Sequence, residues 1–158
     1  MANQNASLSA ARASATQSLV PANQYGGELN VFFATYTNPA AAGVAIGEYI
    51  SWGFLPLGAR VLFGYLTCSV GTASSTLNLG DPASAARYLA ASSVAAAANI
   101  AINPPVTNAL GVLANNFAVT VATPGVTGDT SELRSTCAGA NLASGQTFVL
   151  CLFYVTNQ

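Results

Sequence analysis

The chain has no histidine and no lysine, and its 158 residues carry only four arginines and five carboxylates. Each absence removes a class of chemistry. Without histidine, a serine or cysteine nucleophile lacks its ordinary base, so neither a Ser-His-Asp nor a Cys-His arrangement can be built. Without lysine there is no Schiff base and no Ser-Lys pair. A glycosidase needs two facing carboxylates, and of Glu28, Glu48, Asp81, Asp129 and Glu132 only Asp129 and Glu132 are near in sequence. Those two fall in Gly128-Asp129-Thr130-Ser131-Glu132, where Asp129 reads as a turn or cap residue. No phosphate-binding glycine loop or dinucleotide fingerprint is present. Tetrahedral metal sites draw on cysteine and histidine, and here those amount to Cys68, Cys137 and Cys151, widely spaced. The expectation is a protein that is not an enzyme, with no catalytic residue, no cofactor and no metal.

The shortage of charge bears equally on partners. Asp, Glu, Lys and Arg together make up 6% of the chain, against about 25% in an ordinary soluble domain, and none occurs between Tyr88 and Gly128. Nucleic acid binding needs clustered cationic side chains, whereas Arg12, Arg60, Arg87 and Arg134 are isolated in sequence; no nucleic acid partner is expected. A membrane span is not expected either. The most apolar stretch, Tyr88–Ile102, is shorter than the roughly 20 residues a span requires, is rich in alanine, and runs into Asn103-Pro104-Pro105. Met1 to Arg12 is polar, without the apolar core of a signal peptide. The three cysteines therefore read as reduced, mostly buried thiols of a protein made in a cytoplasm. A surface of Ser, Thr, Asn, Gln and Ala lacks charge repulsion and groups that are costly to desolvate. It suits a structural subunit whose faces lie against other protein, including copies of itself.

What the chain does contain is alanine, 31 residues of it, which buries little surface, and short runs of Val, Leu, Ile, Phe and Tyr separated by turn residues. Residues 1–27 hold almost no bulky apolar side chain, so nothing there offsets the entropy of ordering the segment alone. They read as an N-terminal arm, either disordered or ordered on a partner, ahead of one domain over residues 28–158. In the domain, Leu29–Tyr36 is a strand candidate closed by Thr37-Asn38-Pro39. Gly43–Ser51 is a second, with Gly47 as a bulge. Ala59–Cys68 is the clearest, with Val61, Phe63 and Tyr65 expected on one face and Leu62, Leu66 and Cys68 on the other. Ser75–Leu79 alternates and stops at Gly80-Asp81-Pro82, a strong turn signal. Ala83–Ala98 is open between helix and strand, since alanine favours helix but no clean 3.6-residue period appears. Ala114–Thr123 and Thr147–Thr156 complete the series, the latter apolar on both faces. Six to eight short strands with Gly, Pro and Asn between them indicate an all-β domain, a β-sandwich or barrel. A short internal echo sets Leu55-Pro56-Leu57-Gly58 before Val61–Tyr65 and Leu142-Ala143-Ser144-Gly145 before Phe148–Leu152.

Three charged residues stand out as partner contacts: Arg12, the only charge in the arm, and Asp81 with Arg87, which bracket the Gly80–Tyr88 loop and can pair within it or reach a partner. Trp52 with Tyr49 and Phe54 is the one aromatic cluster that a carbohydrate site would use, or else part of the core.

The stretch from Leu55 to Tyr88 resembles small virion proteins of tailed bacteriophages. It runs Leu55-Pro56-Leu57-Gly58-Ala59-Arg60-Val61, then a Ser/Thr-rich hairpin ending Thr76-Leu77-Asn78-Leu79-Gly80-Asp81, then Arg87-Tyr88. The resemblance implies a jelly-roll-like β-sandwich that decorates or cements a capsid, often as a trimer over the lattice of the major capsid protein, and hence a place on the virion surface after assembly in the host cytoplasm. The alternative function is a receptor- or carbohydrate-binding sandwich of a phage tail or head fibre.

Overall fold

The computed structural model describes residues 28–40, 43–102 and 131–156. The arm with Arg12, the strand expected over Ala114–Thr123, and Asp129 lie outside the described residues. Those described form eight strands and no helix: β1 (Leu29–Thr37), β2 (Tyr49–Phe54), β3 (Arg60–Cys68), β4 (Thr76–Asp81), β5 (Ser84–Ser93), β6 (Ala98–Ile102), β7 (Glu132–Ala138) and β8 (Thr147–Val155). They build two antiparallel four-stranded sheets, ordered β1-β8-β3-β6 and β2-β7-β4-β5. The protein is thus a β-sandwich. Each early strand pairs with a late one (β1 with β8, β2 with β7, β3 with β6, β4 with β5). This nested pairing is what one long hairpin gives when wound around a common core.

The core lies between the sheets. Val61, Leu66, Cys68 and Ile102 with Phe148, Leu150 and Leu152 come from one sheet, and Ile50, Trp52, Leu77, Leu79, Tyr88, Leu133 and Cys137 from the other. Alternation along each strand sends these side chains inward and their neighbours outward. Tyr88 and Phe148 are the largest fully buried side chains.

Several local expectations are corrected. The second strand begins at Tyr49, because Ala45–Glu48 is a turn in which the Glu48 amide donates to the Ala45 carbonyl at 3.0 Å. Gly47 sits inside that turn at φ +87° and is not a bulge. The bulge of β2 lies instead between Ser51 and Gly53. In β3, a bulge between Val61 and Phe63 breaks the alternation. Val61, Gly64, Leu66 and Cys68 therefore point inward, while Leu62, Phe63 and Tyr65 all point outward. The Ser/Thr-rich stretch between β3 and β4 is no hairpin, since these strands belong to different sheets. The hairpin is β4–β5, closing where Asp81 faces Ser84.

The Ala-rich stretch open between helix and strand is two strands, β5 and β6. Alanine's helix preference amounts to tenths of a kcal/mol per residue, and the inward-facing Tyr88 at the centre of β5 outweighs it. Strand β7 carries Glu132 and Arg134 outward and only Leu133 and Cys137 as apolar inward residues, so it has no apolar run to announce it. The internal echo marks two equivalent turns. The Ala59 amide donates to the Pro56 carbonyl at 3.0 Å and the Gln146 amide to the Ala143 carbonyl at 3.1 Å, with Gly58 at φ +80° and Gly145 at φ +73°. Each turn follows a buried leucine, Leu55 or Leu142, and leads into β3 or β8, which are neighbours in one sheet.

One end of the sandwich is tied by two buried amides. Asn38 donates through Nδ2 to the carbonyls of Leu142 (3.2 Å) and Ala143 (2.8 Å), and its Oδ1 accepts from the Val44 amide (3.0 Å). Gln146 donates through Nε2 to the carbonyls of Ser69 (3.1 Å) and Val94 (2.8 Å). Four loops from different parts of the chain are joined by these two side chains.

Candidate interaction surface

The two outer faces of the sandwich differ in kind. On the β2-β7-β4-β5 sheet the outward groups at the centre, around β7, are polar and engaged with one another, while Tyr49 and Phe54 stand exposed on the edge strand β2. Arg134 donates through Nη2 to Glu132 Oε2 at 2.6 Å, and the Ser51 hydroxyl donates to Glu132 Oε1 at 2.6 Å. The Arg134 guanidinium also lies 4.1 Å from the centre of the Tyr49 ring, a favourable cation–π distance.

The outer face of the β1-β8-β3-β6 sheet is apolar. Strand register sets its side chains in rows. Val31, Phe153 and Phe63 form one row; Phe33, Cys151, Tyr65 and Ala101 form the next; Thr35, Val149, Thr67 and Asn99 form a third. Phe63 and Phe153 stack with ring centres 4.6 Å apart and planes inclined by 18°. No member of these rows is charged. Leu29, Val31 and Phe33 are 55 to 66% exposed, and Leu62, Phe63 and Tyr65 are 40 to 45% exposed. Six large apolar side chains left about half open make a patch on the order of several hundred Å², at or beyond the largest patch of a typical monomer. The face arises from three causes: a β1 sequence with apolar residues at alternate outward positions, the bulge that brings both Leu62 and Phe63 outward, and a β8 apolar on both sides.

Asp81 and Arg87 meet inside the β4–β5 hairpin. The Asp81 side chain is fully buried; its Oδ1 accepts from the amides of Ala83 (2.9 Å) and Ser84 (2.8 Å), and Arg87 donates through Nε to Oδ2. The pair holds the turn closed. Burial pushes the neighbouring Tyr88 phenol up, with Asp81 adding to the rise and Arg87 opposing it. Trp52, Tyr49 and Phe54 do not share a surface. Trp52 points inward, donating through Nε1 to the Ser135 hydroxyl at 2.8 Å and meeting Tyr36 edge-on at 6.3 Å, whereas Tyr49 and Phe54 are exposed. Cys68 and Cys137 are buried free thiols pushed up by desolvation; Cys151 is a half-buried free thiol in the middle of the apolar face.

The sequence carries a signal for the apolar face. Strands apolar on both sides imply one side facing the core and one facing something else. What was missing was the bulge, which decides that Leu62 and Phe63 share the outer side.

No protein-family model matches the chain, and no curated protein is detectably similar to it. Two solved structures are similar in fold. A chain of the cyanophage Pam1 capsid asymmetric unit is 22% identical with a TM-score of 0.62, over 90% of this chain and 96% of that one. A chain of the capsid of Ralstonia phage GP4 is 22% identical with a TM-score of 0.59, over 84% of this chain and 86% of that one. At this identity the likeness establishes the shared fold.

Proposed function

We propose that this chain is a structural, non-enzymatic virion protein that decorates and cements a phage capsid, binding the lattice of the major capsid protein as a homotrimer at the virion surface after assembly in the host cytoplasm. The observation that carries the reading is that chains from two phage capsid assemblies share this fold along most of their length. We read the nested strand pairing as the jelly-roll winding. The open sheet face with its uncharged central rows and the sparse charge of the whole chain support a life spent in contact with other protein. In this reading residues 1–27 form an arm that orders on a neighbour, with Arg12 available for a partner carboxylate. Because the Asp81–Arg87 pair is closed within its own turn, its contribution to a contact is to hold the shape of the hairpin.

Purified capsids stripped of their small subunits test the proposal. The protein is expected to co-sediment saturably with them and to raise the temperature at which they rupture, since a ligand that binds only the assembled state stabilises that state. Removal of residues 1–27 is expected to weaken this binding more than it lowers the melting temperature of the free protein. A protein that stays in the supernatant at all concentrations would overturn the reading.

A further inference from the structure

We infer that the outer face of the β1-β8-β3-β6 sheet is where this chain meets a second copy of itself, an inference that deepens the oligomer of the reading above and rests on it. Three observations carry it. The first is area. A stable interface covers about 800 Å² on each partner, and the open side chains Leu29, Val31, Phe33, Leu62, Phe63 and Tyr65, with the half-covered Val149, Cys151 and Phe153 between them, supply its apolar centre. Rigid aromatic groups are the usual anchors of such a centre.

The second is charge. In a contact between copies, each charged group on the shared face is brought toward its own kind or is buried without a partner, at a cost of several kcal/mol. The three rows through Val31, Phe33 and Thr35 contain only apolar, Thr, Cys and Asn side chains. The one charged side chain of the sheet's paired positions, Arg60, lies a row further out, opposite Val155 in the row of Leu29. A copy can therefore cover the three central rows without burying any charge. The third is contrast. At the β7 centre of the opposite outer face Glu132 is only 6% exposed and is held by Arg134 and Ser51, so that centre is polar and already covered, whereas this one is apolar and open.

Cys151 lies in the middle row of the face, between Phe33 and Tyr65, and serves as the reporter. The experiment uses the full chain. Sedimentation velocity across submicromolar to tens of micromolar protein is combined with the rate at which maleimide labels Cys151, assigned by peptide mass. The wild-type protein is expected to associate, and labelling of Cys151 to slow at least tenfold as it does. Phe33→Glu and Tyr65→Lys, on separate strands and both pointing to solvent, are expected to stay monomeric and to label fast at every concentration while keeping the wild-type circular dichroism. Where either variant fails to fold, concentration-dependent protection of Cys151 in the wild type decides the matter alone.

The inference is overturned by any of three results. The first is association with Cys151 labelling unchanged, which places the contact elsewhere. The second is a monomer whose Cys151 is protected at all concentrations, which means that the chain covers its own face. The third is a monomer whose Cys151 becomes protected only on capsids, which assigns the face to the capsid protein and leaves the proposed function standing. Self-association through this face without any capsid binding would do the reverse, supporting the inference and removing the function.

Discussion

Asn38 satisfies both hydrogens and the oxygen of its amide inside the protein, on the carbonyls of Leu142 and Ala143, more than a hundred residues away along the chain, and on the nearby amide of Val44. Replacing it with alanine removes the side-chain partner of the Leu142 carbonyl and the Val44 amide, each worth about 1–3 kcal/mol with some recovered by water, while the Ala143 carbonyl keeps the Gln146 amide. Asn38→Ala is expected to lower unfolding stability by about 2–4 kcal/mol in urea titration, whereas Thr67→Val, whose hydroxyl donates to Asn99 on an exposed surface, should stay within about 0.5 kcal/mol. The titrating residues allow a second expectation. Burial raises the thiols of Cys68 and Cys137 and the phenols of Tyr36 and Tyr88. In each case the folded chain keeps its proton to higher pH than the unfolded chain. Their contribution is fully present below the unfolded values, about 8.5 for a thiol and about 10 for a phenol, and is lost as pH rises through the folded ones. With no histidine in the chain, the melting temperature should be nearly flat from about pH 6 to 8 and fall progressively above about pH 9. A steep change between pH 6 and 7 would contradict this.

At the scale of the element, two glycines separate conformational from steric demands. Gly145 holds φ +73° in the turn before β8, and a Cβ there would meet nothing within 4 Å. Gly64 sits in β3 opposite Leu152, where a Cβ would fall 2.4 Å from the Cys151 carbonyl oxygen and 2.6 Å from Leu152 Cδ2. Gly145→Ala should cost roughly 1 kcal/mol, the price of the left-handed backbone alone. Gly64→Ala should cost roughly 2–3 kcal/mol, because β3 and β8 must separate, and chemical denaturation of the two variants measures the difference. The strands most legible in the sequence were β1, β3 and β8, whose apolar runs are long. β7 was not, because its inward positions include Ser135, buried by its bond from Trp52, and its outward ones are charged. A strand in a sandwich needs only one apolar side, and three inward positions, one of them a serine, leave little periodicity to detect.

Among the described residues, one outer sheet face has a polar, hydrogen-bonded centre and the other an open apolar one. If copies associate through rows that carry no charge, the contact has no Coulomb term for salt to screen. Self-association should therefore weaken by less than about threefold between 50 mM and 500 mM sodium chloride, and should strengthen with sodium sulfate, which favours apolar burial. Light scattering across that range provides the check, and a tenfold loss of association in sodium chloride would point to a charged contact in place of the apolar one.

Composition by itself determined that the chain has neither histidine nor lysine and is short of charge, and the spacing of its short apolar runs between turn residues indicated a β-sandwich or barrel. These properties depend on which residues are present and on their local spacing. Local turn chemistry was likewise readable, as at Gly58 and Gly145, because a β-turn involves only four neighbouring residues. The tertiary structure alone decided which side of each strand faces the core. A single bulge after Val61 puts Leu62 and Phe63 on the same, outer side, and bulges answer to the partner strand's register. It also decided that Trp52 is interior while Tyr49 is not, that Asp81 is consumed by its own hairpin, and that the Ala-rich stretch forms the strands Ser84–Ser93 and Ala98–Ile102. Each of these depends on pairings between distant residues, and the energy of such pairings exceeds the small local preferences a sequence displays.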